Sequence, residues 1–147
     1  MKILVATDGS KFSEAAIRAM ASQIVPRNTE VQILQVVEAP AYSAPPQMAA
    51  GYAPELAERR DAQMKEAKGS VAAAASVLKS AGFDTRTRVV EGDPRTAILE
   101  VAEEWKADLI VMGSQGRRGI KKFLLGSVAE SVARHARCSV MIERMPS

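Results

Sequence analysis

Four residues near the C-terminal end of the chain have the types and the spacing that phosphate binding requires. They form the pattern Gly113-x2-Gly116-x9-Gly126-Ser127. Glycine lacks a Cβ, so backbone N–H groups can approach an anion closely. Gly126 and Ser127 stand where a helix is expected to begin, and the unpaired N–H groups of a helix N-terminus favour an anion. The pattern is neither a Walker A loop nor a GxGxxG fingerprint, and an isolated G-x-x-G often only turns the chain.

Four cationic side chains occupy the stretch between the two glycine pairs. They are Arg117, Arg118, Lys121 and Lys122, and no acidic residue lies among them. Such a flap can close over phosphates and screen their charge. Arg118, Lys121 and Lys122 could equally be solvent-exposed surface residues with no role in binding.

The composition of the chain excludes several classes of protein. Hydrophobic residues make up 47% of the 147 residues, which suits one domain over residues 1–147. No apolar run approaches the length of a membrane span or of a signal-peptide core, so neither is predicted. The net charge is only +3 and aromatic residues are 4%. Few side chains could therefore stack on bases, and a nucleic-acid surface is not favoured.

Cysteine and histidine each occur once. Cys138 cannot form an intramolecular disulfide and is predicted to be a small buried hydrophobe, so a reducing, cytoplasmic setting is expected. One cysteine and one histidine do not make a zinc site, and no metal ligand is predicted. His135 is expected near a helix C-terminus, as a structural cap rather than a catalytic base.

Strand-like segments recur along the chain with helical segments between them. Continuous apolar runs predict buried strands at residues 3–5, 31–37, 109–112 and 138–142. Residues 83–89 alternate between apolar or small side chains and charged ones. This alternation predicts a strand that is exposed on one face or lies at a sheet edge.

Helices are predicted from apolar residues at helical spacing and from start signals. One runs from about Pro54 to Ala81, after residues 38–53, whose prolines predict an exposed, mobile loop. Another begins at Asp93-Pro94, a capping carboxylate followed by proline. A last helix begins at Gly126-Ser127, and four of its residues are expected to face inward: Val128, Val132, Ala133 and Ala136.

This alternation predicts an α/β fold, with a mostly parallel sheet and helices on both faces. Ligands of such sheets bind beyond the carboxyl ends of the strands, where the winding direction reverses. Two loops follow strands there: residues 7–10 after the first strand and residues 113–127 after the fourth. If these two strands are neighbours, both loops face the same crevice.

These features together resemble the universal stress protein family. The glycine pattern looks like the ATP-binding signature of that family, and residues 3–10 resemble its first strand and loop. Residues 108–116 and 124–135 resemble its later blocks, and residues 138–142 its last strand. The resemblance covers the whole chain. It implies a single-domain, five-stranded parallel sheet of order 3-2-1-4-5, of the adenine nucleotide α-hydrolase-like type.

The chain departs from the family pattern at three positions outside the glycine signature. Ala6 stands where many members have proline, and Arg137 and Ser139 flank Cys138 where members often carry prolines. Because the signature is complete, the resemblance implies that this chain belongs with the members that bind ATP.

The resemblance implies a nucleotide site built from the two crevice loops. Asp8 would contact the ribose or the phosphates beside Thr7, although it could instead cap the first helix. Val37 would pack on the adenine ring, and Gln115 and Arg117 would lie near the phosphates. The nucleotide would be ATP, ADP or AMP, and Asp8 is a candidate to hold Mg²⁺ through the phosphates. The predicted site is the following set: Thr7, Asp8, Val37, Met112, Gly113, Gln115, Gly116, Arg117, Gly126, Ser127, Val128 and Ala129.

The predicted function is a nucleotide-dependent sensor or regulator in a stress response, with no catalytic residue. Phosphoanhydride hydrolysis requires a positioned water and usually a metal, and the crevice loops hold no second carboxylate, so ATP hydrolysis would be slow at most. Two alternatives stay open: a dimeric scaffold that binds no nucleotide, and an adenylate-transferring enzyme of the related fold. Such enzymes usually carry a Ser-Gly-Gly-type loop, whereas this chain has Thr7-Asp8-Gly9-Ser10. The resemblance also implies a homodimer that pairs through the edge strand at residues 138–142.

Overall fold

The computed structural model describes residues 1–38, 49–116 and 124–145. In these ranges strands and helices alternate as the sequence predicts. The elements, in chain order, are β1 Lys2–Ala6, α1 Lys11–Gln23, β2 Glu30–Val37, α2 Ala49–Ser80, β3 Asp84–Glu91, α3 Pro94–Trp105, β4 Leu109–Gly113, α4 Ser127–His135 and β5 Ser139–Glu143.

All five strands lie in one parallel sheet of order β3-β2-β1-β4-β5, which confirms the predicted fold. β1 is central, and its Ile3 is in register with Val31 of β2 on one side and with Leu109 of β4 on the other. The polar strand β3 lies at one edge, as its alternating pattern predicts, and β5 lies at the other. The winding direction reverses between β1 and β4, which opens a crevice beyond their carboxyl ends.

Side-chain alternation along β1 divides the hydrophobic core into two halves. Ile3 and Val5 pack with residues of α1 and α2 on one face of the sheet, and Leu4 and Ala6 pack with residues of α3 and α4 on the other. Both faces of β1 are therefore covered, which explains why its sequence is continuously apolar rather than alternating.

Two helices begin at the capping residues that their sequences offer. Ser10 caps α1, and its side chain accepts a hydrogen bond from the backbone N–H of Ser13. Asp93 caps α3 by accepting from the backbone N–H of Arg95, and Pro94 occupies the first helical position. These starts anchor the loops that follow β1 and β3 at the crevice end of the sheet.

The structure corrects the start of α2 and one inward-facing residue of α4. α2 begins at Ala49 rather than at Pro54, so the predicted loop over residues 38–53 is too long. The residues before Pro54 are mostly alanines, whose high helix propensity outweighs a proline this close to the helix start. The remaining loop residues 39–48 lie outside the described ranges. Ala133, predicted to face inward, is exposed because it is turned 100° around the helix from the buried Val132.

Candidate functional site

A cavity of about 540 Å³ lies beyond the carboxyl ends of β1, β2 and β4. Eleven of the twelve predicted site residues line it, and the twelfth, Arg117, lies outside the described residues. The predicted residues in its wall are Thr7, Asp8, Val37, Met112, Gly113, Gln115, Gly116, Gly126, Ser127, Val128 and Ala129. The fold therefore brings together two loops that are more than 100 positions apart in the sequence.

The carboxylate of Asp8 is held in place by the start of α1. Its Oδ1 accepts hydrogen bonds from the backbone N–H of Ser10 at 2.9 Å and from the hydroxyl of Ser13 at 2.7 Å. The Ser13 hydroxyl in turn accepts from the backbone N–H of Asp8 at 3.1 Å. The cap of α1 is Ser10 and not Asp8. Helix capping therefore does not account for an aspartate at position 8. The network instead orients the carboxylate at the mouth of the cavity.

The glycines of the signature are required by close contacts between chain segments. A Cβ at Gly113 would lie 2.7 Å from the carbonyl carbon of Phe12, so β4 passes directly against the backbone of α1. A Cβ at Gly116 would lie 2.8 Å from Oδ2 of Asp8. The loop after β4 therefore touches the loop after β1 at this point, and the two halves of the predicted site meet.

Hydrogen bonds connect the two ends of the glycine-rich segment. The backbone N–H of Gly126 donates to the carbonyl of Ser114 at 2.7 Å, and the Gln115 side chain donates to the carbonyl of Leu124 at 2.6 Å. A Cβ at Gly126 would lie 3.2 Å from both Ser114 and Gln115, which leaves little room for a larger residue. The cationic stretch of the signature, residues 117–122, lies outside the described residues.

The N-terminus of α4 opens into the cavity. Its cap is Gly126, which supplies no side-chain hydrogen bond, and Ser127 is the first helical residue. The Ser127 hydroxyl therefore does not cap this helix. The first N–H groups of a helix have no acceptor within the helix itself, and here Ser127, Val128 and Ala129 all line the cavity. This end of the cavity suits an anion.

Apolar side chains form another part of the cavity wall. Val37 and Met112 belong to the site that the family resemblance implies, and both are buried. Leu34, Val36 and Ile98 also line the cavity and were not predicted; with Met112 they belong to the core on the α3 and α4 face of the sheet, whereas Val37 projects from the other face of β2. We call this wall the apolar slot. It joins β2 and β4 to α3, so only the packing of α3 on the sheet places Ile98 there.

Five further polar residues line the cavity and were missed from the sequence. They are Ser13, Gln35, Glu38, Gln63 and Glu66. Gln63 and Glu66 lie on α2, whose position over the crevice no local pattern reveals. Gln35 carried a signal, because it is a polar residue inside an apolar strand run. The two crevice loops contain no carboxylate besides Asp8, and Glu38 and Glu66 add two carboxylates to the cavity from outside those loops.

The single histidine and cysteine lie away from this cavity. Nδ1 of His135 donates to the carbonyl of Ser131 at 2.9 Å, at the C-terminal end of α4. Cys138 is half-buried, and burial raises the pKa of its thiol. Within the described ranges no group of three or more histidine, cysteine, aspartate or glutamate side chains could hold a metal ion. No helix in that part of the chain is long and apolar enough to cross a membrane.

Comparisons with known proteins agree with this architecture. A model of the universal stress protein family matches residues 1–144. A universal stress protein of Methanocaldococcus jannaschii is 35% identical over 145 residues, which are 99% of this chain and 82% of that protein. The solved structure of the stress protein UspA from Lactobacillus plantarum has a TM-score of 0.83 at 27% identity, covering 98% of this chain and 97% of its own. A universal stress protein solved in complex with cAMP has a TM-score of 0.71 at 28% identity, covering 97% of this chain and 96% of its own.

Proposed function

The chain belongs to the universal stress protein family, and we propose that it binds an adenine nucleotide in the cavity beyond β1, β2 and β4. One observation carries the proposal: the loop at Asp8 and the glycine-rich segment meet around a single cavity that also has an apolar slot and a helix N-terminus. The apolar slot suits a base, the polar loop at Asp8 suits a sugar, and the helix N-terminus suits a phosphate chain. The relative solved with cAMP supports the same ligand class.

The parts of the nucleotide are assigned by matching their chemistry to the cavity wall. The adenine ring packs in the apolar slot between Val37 and Met112. The phosphates lie at the N-terminus of α4, where Ser127 and Val128 present backbone N–H groups. The ribose lies between these two regions and contacts Asp8, whose carboxylate the start of α1 already orients.

We extend the proposal to Mg²⁺ bound with a di- or triphosphate. Mg²⁺ keeps several of its waters and commonly needs only one or two carboxylates besides substrate phosphates. Asp8 meets this need, because its carboxylate stands against Gly116 of the phosphate-binding segment. The bound ion would screen the negative charge of the phosphates. ATP and ADP would then bind more tightly with Mg²⁺, and AMP would change little.

The role that we propose is a nucleotide-dependent sensor rather than an efficient enzyme. Fast hydrolysis needs a carboxylate or amide that holds the attacking water in line with the leaving group. Glu38 and Glu66 line the cavity, but both are exposed residues at its α2 and β2 side, opposite the start of α4. We therefore expect bound ATP to remain unhydrolysed for much longer than a typical turnover time.

Mass spectrometry of the purified, denatured protein tests the proposal directly. A co-purified adenine nucleotide, together with saturable binding of ATP, ADP or AMP in a titration, is the expected result. Each titration is repeated with EDTA in place of Mg²⁺, and ATP and ADP are quantified over time in the same samples. A protein that carries no nucleotide and binds none would be a scaffold, and rapid ATP loss would identify an enzyme.

We also propose that two copies of the chain pair through β5. β5 is an edge strand of the sheet, and its Val140 and Ile142 are only partly buried. The carbonyl of Glu143 accepts from the backbone N–H of Ser114 at the end of β4. The backbone N–H and C=O groups of successive residues point to alternate sides of a strand. Those of Val140 and Ile142 therefore face away from β4. An antiparallel copy of β5 across a two-fold axis would satisfy them.

A further inference from the structure

The hydroxyl of Ser13 makes two hydrogen bonds with one residue, Asp8. It accepts from the backbone N–H of Asp8 at 3.1 Å and donates to Oδ1 of the Asp8 carboxylate at 2.7 Å. A serine hydroxyl has a single proton, and the bond to the carboxylate uses it. The main chain and the side chain of Asp8 are therefore held by the same oxygen atom of α1, which restricts the side-chain torsions of Asp8 to one arrangement.

Helix formation does not account for the hydroxyl of Ser13. This residue lies in the first turn of α1, where its backbone N–H donates to the side chain of Ser10 at 3.3 Å. Ser13 is only 4% exposed and lines the cavity. Alanine has a higher helix propensity than serine and would make the same backbone bond. The bonds to Asp8 are therefore what the buried hydroxyl supplies.

The two carboxylate oxygens of Asp8 have different surroundings. Oδ1 accepts from the hydroxyl of Ser13 and from the backbone N–H of Ser10 at 2.9 Å. Oδ2 is directed toward the glycine-rich segment, because a Cβ at Gly116 would lie 2.8 Å from it. The bonds to Oδ1 therefore hold Oδ2 at the junction of the two loops, where we place the ribose. A carboxylate only accepts hydrogen bonds, and the ribose hydroxyls can donate them.

We propose that Ser13 is a positioning residue that makes the site selective for ribonucleotides. It acts through Asp8, whose carboxylate it holds in the direction from which Oδ2 accepts hydrogen bonds from the ribose hydroxyls. Without the Ser13 hydroxyl, the carboxylate is released to other staggered arrangements and the sugar loses an oriented acceptor. This inference rests on the proposed function, and it adds the residue that controls recognition of the sugar.

The test compares AMP with 2′,3′-dideoxy-AMP, which lacks both ribose hydroxyls. Dissociation constants for the two ligands are measured by calorimetry with the wild-type chain, Ser13→Ala and Ser13→Thr. Wild type is expected to prefer AMP by roughly tenfold or more, because the dideoxy ligand cannot donate to the charged acceptor. Ser13→Ala is expected to lose most of that preference, and Ser13→Thr, which keeps a hydroxyl, is expected to retain it.

A double-variant cycle shows whether Ser13 acts through Asp8. Asp8→Ala is expected to lose the preference for AMP, and adding Ser13→Ala to that chain is expected to change the preference no further. A purely structural role of Ser13 would instead weaken both ligands alike and leave the preference intact. Ser22→Ala is the control, because it removes an exposed hydroxyl of α1 that donates to the carbonyl of Ala19 away from the cavity. Its preference is expected to match that of wild type.

The outcomes separate the inference from the function on which it rests. If wild type binds both ligands equally, the nucleotide proposal stands and the inference is wrong. A preference that survives in Ser13→Ala would also overturn it, as would a preference lost in Ser13→Thr or Ser22→Ala, which would assign the effect to the packing of α1. Thermal unfolding without ligand is measured for every variant, and a Ser13→Ala chain that does not fold would assign the hydroxyl to structure alone. If wild type binds neither ligand, the proposed function itself is wrong and the inference falls with it.

Discussion

Asp8 and Gly116 show how single residues define the cavity. The carboxylate of Asp8 is held by Ser10 and Ser13 on one side and stands against the Cα of Gly116 on the other. A signature glycine therefore has a steric role that is separate from its backbone flexibility, because it leaves space for the carboxylate of a distant loop. The same reasoning shows that Gly113 is a poor place to probe binding, since any side chain there would meet the backbone of Phe12.

Gly116→Ala is the sharper probe of the nucleotide site. Its new Cβ would lie 2.8 Å from Oδ2 of Asp8, so the carboxylate must move from its place in the cavity wall. We expect the affinity for ATP to fall by about tenfold, which corresponds to about 1.4 kcal/mol, while the fold is retained. Isothermal titration of wild type and variant measures this change.

Gly69→Ala is the control for this substitution, because a Cβ at Gly69 would meet nothing within 4 Å in the exposed face of α2. It is expected to leave affinity unchanged and to stabilise the helix by up to about 1 kcal/mol. Unchanged ATP binding by Gly116→Ala would show that the Asp8 carboxylate takes no part in the site.

The helix α4 is the element that would hold the phosphates in the proposed nucleotide site. Its first turn faces the cavity, its cap is a glycine without a side chain, and its buried stripe on Val132 holds its axis against the sheet. A negative charge at this end has two opposite effects. It stabilises the helix through the dipole, and it repels a bound phosphate.

Ser127→Glu separates these two effects. Ser127 is the first residue of α4 and is exposed, so the glutamate can be accommodated. We expect stability to stay equal or to rise by about 0.3–1 kcal/mol, and ATP affinity to fall by about tenfold or more through repulsion between like charges. Denaturant unfolding and calorimetry measure the two quantities.

Ala133→Glu adds the same charge to an exposed position of the same helix away from the cavity. Its affinity for ATP is expected to stay close to that of wild type. A similar loss of affinity in both variants would mean that the effect comes from net charge, and the phosphates would then have to be placed elsewhere.

At the scale of the whole molecule, the sheet order separates the cavity from the edge strand β5. The winding reversal between β1 and β4 opens the cavity, and the last position in the order leaves one side of β5 without a neighbouring strand among the described residues. The two regions are connected, because β4 pairs with β5 and continues into the glycine-rich segment. In a dimer formed through β5, the proposed nucleotide site of each chain would therefore lie one strand away from the interface.

Val140→Pro tests the proposed dimer. Proline removes an outward-facing N–H of β5 and no hydrogen bond to β4, so the sheet is expected to stay intact while the pairing is lost. Light scattering at micromolar concentration should give twice the chain mass of 15.8 kDa for wild type and the single chain mass for the variant. Circular dichroism checks that the variant is folded.

Thr87→Pro makes the same change at the opposite edge. The backbone N–H of Gly92 donates to the carbonyl of Val37, so by alternation the backbone groups of Thr87 face away from β2. This control is expected to remain a dimer. A monomeric wild type would refute the pairing, and a dimeric Val140→Pro chain would place the interface on another surface.

The sequence by itself determined the elements, the sheet order that its family resemblance implied, and the two loops that build the cavity. The elements and the loops depend on short-range physics: apolar runs for buried strands, Asp93-Pro94 for a helix start, and glycines where the chain turns after a strand. The start of α2 differs from the prediction because the alanines before Pro54 extend the helix past the proline.

Only the tertiary structure decided what surrounds the two loops. Ile98 and Glu66 line the cavity because α3 and α2 pack over the sheet. The spacing of apolar residues along either helix does not reveal where on the sheet that helix packs. Gln35 could be noticed in the sequence as a polar residue among apolar neighbours. Only the structure shows that its buried side-chain oxygen accepts no hydrogen bond from any residue that the structure describes. Whether a buried amide is satisfied depends on every group within about 3 Å of it, and those groups come from distant parts of the chain that only the fold brings together.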